Sequence, residues 1–374
     1  MNTRESKMLE SISEELGVPN LLEVISSAPM HRLVPILVHA FKKKVAAKSP
    51  HVLLREYEDK QGFYGTSTLS QPQLYAFAGA CHEAIATAFG AVQTAPIAPL
   101  GLNSVLSKVS QNNTLSTIRG SEVVSDLTSQ LALECALRRK QGANVVHLCT
   151  YGRVLRLQPF DKERGYMQHF NMFALCSGGR NSSTGGDFAV PTLRSHISSL
   201  LDIIDALRKL GYDCDDITVN MSDMRFLDQL ITAQGLPREE VLRNSLNDEF
   251  DLLGQYQIDF PREVASGIEL TPAAFARLGL EDRSGYFSVV EDKIISPLRI
   301  KYPNVRFCFD FTRKAGLGYY PHLCFHIFAR SRTRTRIQVC DGGAVDWLTK
   351  LLGSPREAMV ISGIGAELMQ KLFG

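Results

Sequence analysis

Gly316-Leu-Gly-Tyr-Tyr320, Asp341-Gly-Gly343 and Ser362-Gly-Ile-Gly-Ala-Glu-Leu368 lie in the last sixty residues of the chain and decide its fold. Around them run β-like stretches rich in branched and aromatic residues: VRFCFDF (305–311), HLCFHIFA (322–329) and RIQVC (336–340). Working back, ITVNM (217–221), YMQHFNMFALC (166–176) and NVVHLCTYGRVLRLQ (144–158) read as further strands, the last two joined by the polar turn PFDKERG. A short strand is expected at AVQTAP (91–96), and residues 52–68 look strand-like with a turn at Gly65.

Helical signals surround these runs. Residues 1–45 carry apolar residues at close to a 3.6 period. Ser70 is placed to cap a helix through residues 71–89, with Pro72 in its first turn and Gly90 just past its end. A second helix should begin near Asp126 and end on Arg138, Arg139 and Lys140, where basic residues complement the helix dipole. Residues 193–210 form a clear amphipathic helix. The stretch 222–298 reads as short helices started at Pro237, Pro261 and Pro272. Residues 100–120 are loop-rich, and SGGRNSSTGG (177–186) reads as a mobile segment. The expectation is an α+β fold: an antiparallel sheet flanked by helices, with a mostly helical insertion at about 222–298. An N-terminal helical or linker segment covers residues 1–68 and the core residues 69–374.

Composition narrows the class. At 374 residues, 44% hydrophobic and 21% charged, the chain has ordinary globular composition. A net charge of +2 confines any nucleic-acid surface to local patches. The eight cysteines are scattered without a CxxC pair, which favours buried free thiols over a disulfide scaffold or zinc site. There is no apolar run of about 18 residues and no signal peptide, so no membrane partner is expected and a cytoplasmic location is the default. No GxGxxG or GxxxxGK(S/T) motif opens a helix, so a Rossmann or P-loop reading has no support.

Taken in order, the motifs resemble the catalytic domain of histidyl-tRNA synthetases, a class II family. GLGYY is similar to the family's RGLDYY, DGG to its GGRYD, and SGIGAEL to its GFAIGLERL. GAVQTAP resembles the first class II motif, and VVSDLTSQLALECALRR the LRPDxT segment and its helix, with Asp126 and Thr128 on matching positions. VLRLQPFDKERGYMQHFNMF resembles the second motif, with Arg156 on the arginine that grips the ATP α-phosphate. One branch is closer still: LVPILVHAFKKKVAAKSPHVLLREYEDKQGFYG resembles the stretch joining kinase and synthetase-like domains in the amino-acid-starvation kinase that phosphorylates translation initiation factor 2. That kinase domain and the family's C-terminal anticodon-binding domain are not in this sequence, which implies an excised domain or a shortened relative.

Set against the family, Ala315, Ala344 and Leu368 stand where it carries arginines, Gly318 replaces an aspartate, and the motif-two Glu-Arg reads Gln158-Pro159. Losing one preorganised donor costs on the order of 10²–10³ in rate, so the resemblance implies a pseudo-enzyme without cofactor. The neighbouring Arg313 and Lys314 are not expected to substitute, because shifts of one or two residues change face or register. Asp126, Thr128, Arg156, Tyr319, Tyr320 and Glu367 form the expected vestigial pocket. Plainer roles stand beside these: packed strand residues for the tyrosines, helix-terminal residues for Asp126 and Thr128, and an ordinary helix position for Glu367.

Two basic patches are candidate tRNA surfaces. Arg330, Arg332, Arg334 and Arg336 alternate with period two, which on a β-hairpin puts up to four guanidinium groups on one face. Charges guarding a hairpin edge explain them equally well. Lys42, Lys43 and Lys44 form the second patch, or a solvated helix end. His322 and His326 share a strand face, but no third ligand lies near enough in sequence to make a metal site. The resemblance implies a homodimer that senses uncharged tRNA and controls a kinase in cis or trans. Alternatives are a dimerisation scaffold, a residual amino-acid-activating ligase, and a regulatory partner of ATP phosphoribosyltransferase, which the N-terminal 60 residues fit poorly.

Overall fold

The computed structural model describes residues 3–158, 166–181, 188–245, 247 and 249–374. Its strands are β1 (Gly90–Ala91), β2 (Ile97–Pro99), β3 (Ser121–Val123), β4 (Val146–Leu155), β5 (His169–Arg180), β6 (Asp215–Asp223), β7 (Glu263–Val264), β8 (Arg306–Asp310), β9 (Leu323–Arg330), β10 (Arg336–Val345) and β11 (Glu357–Gly365). Nine of them form one sheet in the order β1-β4-β5-β11-β10-β9-β6-β8-β7, while β2 and β3 pair separately. From β4 to β6 every neighbour is antiparallel, so the middle of the sheet is a continuous antiparallel platform. On β5, Phe173 through Ser177 are fully buried, which requires cover on both faces.

The helices are α1 (Thr3–Glu15), α2 (Leu21–Ser27), α3 (Met30–Ala46), α4 (Pro50–Asp59), α5 (Gln61–Tyr64), α6 (Gln71–Ile85), α7 (Leu102–Leu106), α8 (Leu127–Lys140), α9 (Ala189–Lys209), α10 (Met224–Ala233), α11 (Arg238–Asn244), α12 (Leu252–Gln255), α13 (Pro272–Ala276), α14 (Ser284–Val290), α15 (Ser296–Lys301), α16 (Trp347–Leu352) and α17 (Ala366–Phe373). α8 packs on β4 and β5, α9 on β10 and β11, and α6 on α9. Ser70 makes a full capping box with Gln73, and the Asp126 side chain caps α8, as their positions in the sequence predict.

Residues 222–298 are short helices held by an aromatic cluster. Phe287 lies 5.5 Å from Phe275, 5.4 Å from Phe309 and 5.4 Å from Phe311, tying α13 and α14 to the β8 edge of the sheet. Pro237 and Pro272 sit at helix starts, whereas Pro261 precedes the short strand β7. All eight cysteines are free and buried, as the sequence suggests. No helix among the described residues is long and apolar enough to cross a membrane.

Several expectations are corrected. Residues 52–68 are helical up to Tyr64, not strand: Ser49 and Pro50 open a helix, and Lys48 bonds Glu56 across its first turns at 2.6 Å. Ser177–Arg180 belong to β5 rather than to a mobile segment; of that segment, residues 182–186 lie outside the described residues. The glycines there serve close packing: a Cβ on Gly178 would stand 2.3 Å from the Cys135 sulfur, and one on Gly179 2.4 Å from the Phe188 ring. α6 ends at Ile85, so Gly90 falls in β1 instead of capping the helix, and of the expected AVQTAP strand only Ala91 lies in β1, which pairs in parallel with β4.

Candidate functional site

The platform carries a cavity of about 500 Å³ on one face, lined among others by Asp126, Thr128, Arg156, Phe170, Tyr319, Tyr320, Asp341 and Leu368. Asp126 starts its wall. One carboxylate oxygen accepts the Thr128 amide at 2.9 Å and the Thr128 hydroxyl at 2.7 Å. The other faces the Tyr319 hydroxyl at 3.4 Å and the Arg156 guanidinium at 4.0 Å. Arg156 follows β4, donates through Nε to the Ser125 carbonyl at 2.9 Å, and lies over the Phe170 ring. Thus Asp126 both caps α8 and faces the cavity.

Tyr319 and Tyr320 are not strand residues. They sit in a tight turn whose amides both donate to the Gly316 carbonyl at 2.9 Å, with Gly316 at φ 93° and Gly318 at φ 84°. Tyr319 packs edge-on against Tyr320 and Trp347. Burial pushes both hydroxyls well above the usual tyrosine range, so both remain protonated donors. The DGG motif makes room beneath them. A Cβ on Gly343 would stand 2.6 Å from the Tyr320 ring, and one on Gly342 2.5 Å from the Ser362 Cβ.

The three positions with lost arginines separate. Leu368 lines the cavity. Ala344 lies three residues from Asp341 and so projects from the opposite face of β10, where it lines a second cavity of about 400 Å³ with Val190 and Leu193. Ala315 borders a third hollow with Arg313 and His326. Neither neighbouring cation reaches the first cavity freely. Arg313 is buried, donates to the Ala315 carbonyl and pairs with Asp341 at 2.9 Å. Lys314 donates to the carbonyls of Asn247 and Phe250. Arg156 is therefore the one Lys or Arg lining the cavity among the described residues. Glu367 does not line it either: it is buried in the first turn of α17, accepting from Arg153 at 2.8 Å and from the Asn171 amide at 3.3 Å.

Asp341 and Arg313 are the site residues that sequence reading missed. The only available signal was an aspartate opening a glycine pair, with an arginine 28 residues upstream. His326 stands 3.6 Å from Asp341 and is held to a pKa of about 2 by burial and by Arg313 and Arg336. Across the sheet, His196 sits between Ser177 and Ser362 at 2.8 Å each, and burial lowers it to about 3. Both histidines are neutral when folded but take a proton near pH 6.5 when unfolded. The unfolded chain therefore binds more protons between pH 6.5 and about 3, and stability falls as pH drops through that window. Urea unfolding followed by Trp347 fluorescence should show a lower midpoint at pH 5 than at pH 7.5; equal midpoints would contradict this. Among the described residues no group of three or more His, Cys, Asp and Glu is placed to hold a metal, and His322 precedes β9 rather than sharing it with His326.

The arginine hairpin is also corrected. β9 and β10 pair with Arg330 opposite Arg336, but residues 331–335 form the turn, with Arg334 at φ 61°. Arg330 pairs with Asp216 at 2.9 Å and Arg332 with Asp213 at 3.6 Å. Arg336 stacks on Phe328 at 4.1 Å and donates to Asn220 at 3.1 Å. A single four-guanidinium face does not form, because β6 and the segment before it supply counter-charges. Lys42, Lys43 and Lys44 lie in the last turns of α3, exposed.

An antiparallel platform with helices behind it and a cavity in front is a class II aminoacyl-tRNA-synthetase-like fold. Three solved structures are similar to it. The ATP phosphoribosyltransferase regulatory subunit/histidyl-tRNA synthetase from Bacillus halodurans C is 17% identical with TM-score 0.61, covering 83% of each chain. A histidine–tRNA ligase subunit from Alicyclobacillus acidocaldarius is 15% identical with TM-score 0.62, over 82% of this chain and 95% of that one. Histidyl-tRNA synthetase from Nostoc sp. PCC 7120 is 15% identical with TM-score 0.60, over 80% and 71%. At such identities the likeness is one of fold. No protein-family model matches the chain, and no curated protein matches it in sequence.

Proposed function

We propose that this chain is a catalytically inactive, histidyl-tRNA-synthetase-like regulatory domain. The observation that carries the reading is the charge of the cavity: among its described lining residues one cation, Arg156, is already engaged by the Ser125 carbonyl and faces Asp126. Adenylation develops charge on the ATP α-phosphate, and that charge must be met by preorganised donors in a site that excludes water. Leu368 and the Arg313–Asp341 pair offer none.

The finer reading is a homodimer that senses uncharged tRNA and controls a protein kinase in the amino-acid starvation response. It is supported by the sequence resemblance of residues 33–65 to the kinase-linked branch and by the exposed Lys42–Lys44, with Arg334 at the hairpin tip. A mobility-shift titration with uncharged tRNA tests the RNA part. Binding that weakens steeply with salt, and weakens further in a variant with Lys42→Ala, Lys43→Ala, Lys44→Ala and Arg334→Ala, is the expected result. Affinity that ignores both salt and these substitutions would remove tRNA from the account.

A further inference from the structure

The N-terminal arm is built unlike the rest of the chain. Across α1 to α5 no described side chain between residues 6 and 64 is buried. Sixteen of the 26 exposed large hydrophobics fall in this sixth of the chain, including Leu16 at 62%, Ile36 at 66%, Val45 at 61% and Leu54 at 58% exposure. Together they present on the order of 1,000 Å² of apolar surface. That total is spread over five helices, and a stable interface takes about 800 Å² from each partner. Three of the arm's five helices are also short, whereas α1 has 13 residues and α3 has 17. α4 has 10 residues and α2 has 7, below the roughly 12–15 at which an isolated helix becomes even marginal in water.

Charge says what covers this surface. Residues 6–29 carry Lys7 against Glu10, Glu14, Glu15 and Glu23. Residues 30–48 carry Arg32, Lys42, Lys43, Lys44 and Lys48 and no acid. Glu10, Glu14 and Glu15 and the three consecutive lysines are exposed, and none forms an ion pair among the described residues. Residues 49–64 are mixed, with Arg55 and Lys60 against Glu56, Glu58 and Asp59. An arm whose first two helices are acidic and whose third is basic is complementary to itself under a two-fold axis, where each patch meets its opposite on the other copy. A uniformly acidic or basic partner would be repelled by one half.

We infer that the arm is a self-association surface whose occupant is the arm of a second copy, with the α1–α2 glutamates of one set against the α3 lysines of the other. This surface is separate from the cavity and from any interface inherited with the synthetase-like core. Sedimentation equilibrium on the full chain tests it by charge reversal. Reversing Lys42, Lys43 and Lys44 to Glu should weaken self-association about tenfold or more, and reversing Glu10, Glu14 and Glu15 to Lys should do the same. The variant carrying both reversals should regain most of the lost affinity, because the pairing is restored with its polarity exchanged. A monomeric native chain, a dimer indifferent to either reversal, or a combined variant no tighter than the single ones would each overturn the inference. Loss of tRNA binding that the combined variant does not recover separates an RNA role of these lysines from the pairing tested here.

Discussion

Replacing Glu357 with alanine should cost about 3–5 kcal/mol of stability and lower the melting temperature by roughly 4–6 °C. Its side chain is 1% exposed at the start of β11, and Arg139 of α8 grips it with two bonds at 3.0 and 2.9 Å while Arg180 of β5 adds a third at 2.5 Å. Arg139 is 5% exposed and also donates to the Ala143 and Asn144 carbonyls, so losing the carboxylate strands a buried cation with those carbonyls but without its counter-charge. That stranding is what makes breaking one partner of a buried pair costly. Arg180 is 65% exposed, and Arg180→Ala should cost under about 1 kcal/mol. Burial pushes the Glu357 carboxyl up, but hydrogen bonds from Arg139 and Arg180 outweigh it and hold it below the usual range. The contribution is therefore present above the unfolded value of about 4.3 and lost as pH falls through the folded value. Differential scanning calorimetry of both variants decides the matter: equal, small losses would show that the pair is not the clamp between α8, β5 and β11.

Phe287→Ala should cost a comparable ~3–5 kcal/mol, for a different reason. The ring is fully buried and touches Phe226, Phe275, Phe309 and Phe311, so truncation leaves a cavity at the seam between the helical insertion and β8. Because the insertion meets the platform at its edge, the loss should appear as local opening of residues 222–298. Limited proteolysis should cut the variant there at urea concentrations that leave the native chain intact. Cleavage spread evenly over the chain would show that the insertion and sheet unfold together.

Local chemistry made much of this fold legible. Asp126 followed by Thr128, Ser70 with Gln73, and the apolar runs of β4 and β5 declare themselves within a few residues. Residues 52–68 misled because Val52-Leu53-Leu54 resembles a strand when the Ser49-Pro50 helix start is overlooked. Gly178 and Gly179 looked like linker glycines because the partners that require them, Cys135 and Phe188, come from other elements.

The site divides in the same way. Motif order brought Asp126, Arg156 and Tyr319 into one cavity although up to 193 residues separate them, which no local pattern specifies. Motif order could not say which way a side chain projects from its strand. Hence Ala344, grouped by its motif with Ala315 and Leu368, turns out to line a different cavity from Leu368, and the hairpin arginines were counted without Asp213 and Asp216, which lie more than a hundred residues away. The Arg313–Asp341 pair escaped notice because Asp341 was read only as part of DGG and Arg313 only as a neighbour of Ala315, 28 residues apart, yet the pair neutralises the buried cation nearest the cavity.

The central claim is that this cavity no longer activates an amino acid. ATP–pyrophosphate exchange on the full chain, run with each of the twenty amino acids, tests it directly. Exchange should stay at background with every amino acid, histidine included, and Arg156→Ala should leave that background unchanged. Robust exchange with any one of them, abolished by Arg156→Ala, would contradict the account and restore the chain to the enzymes.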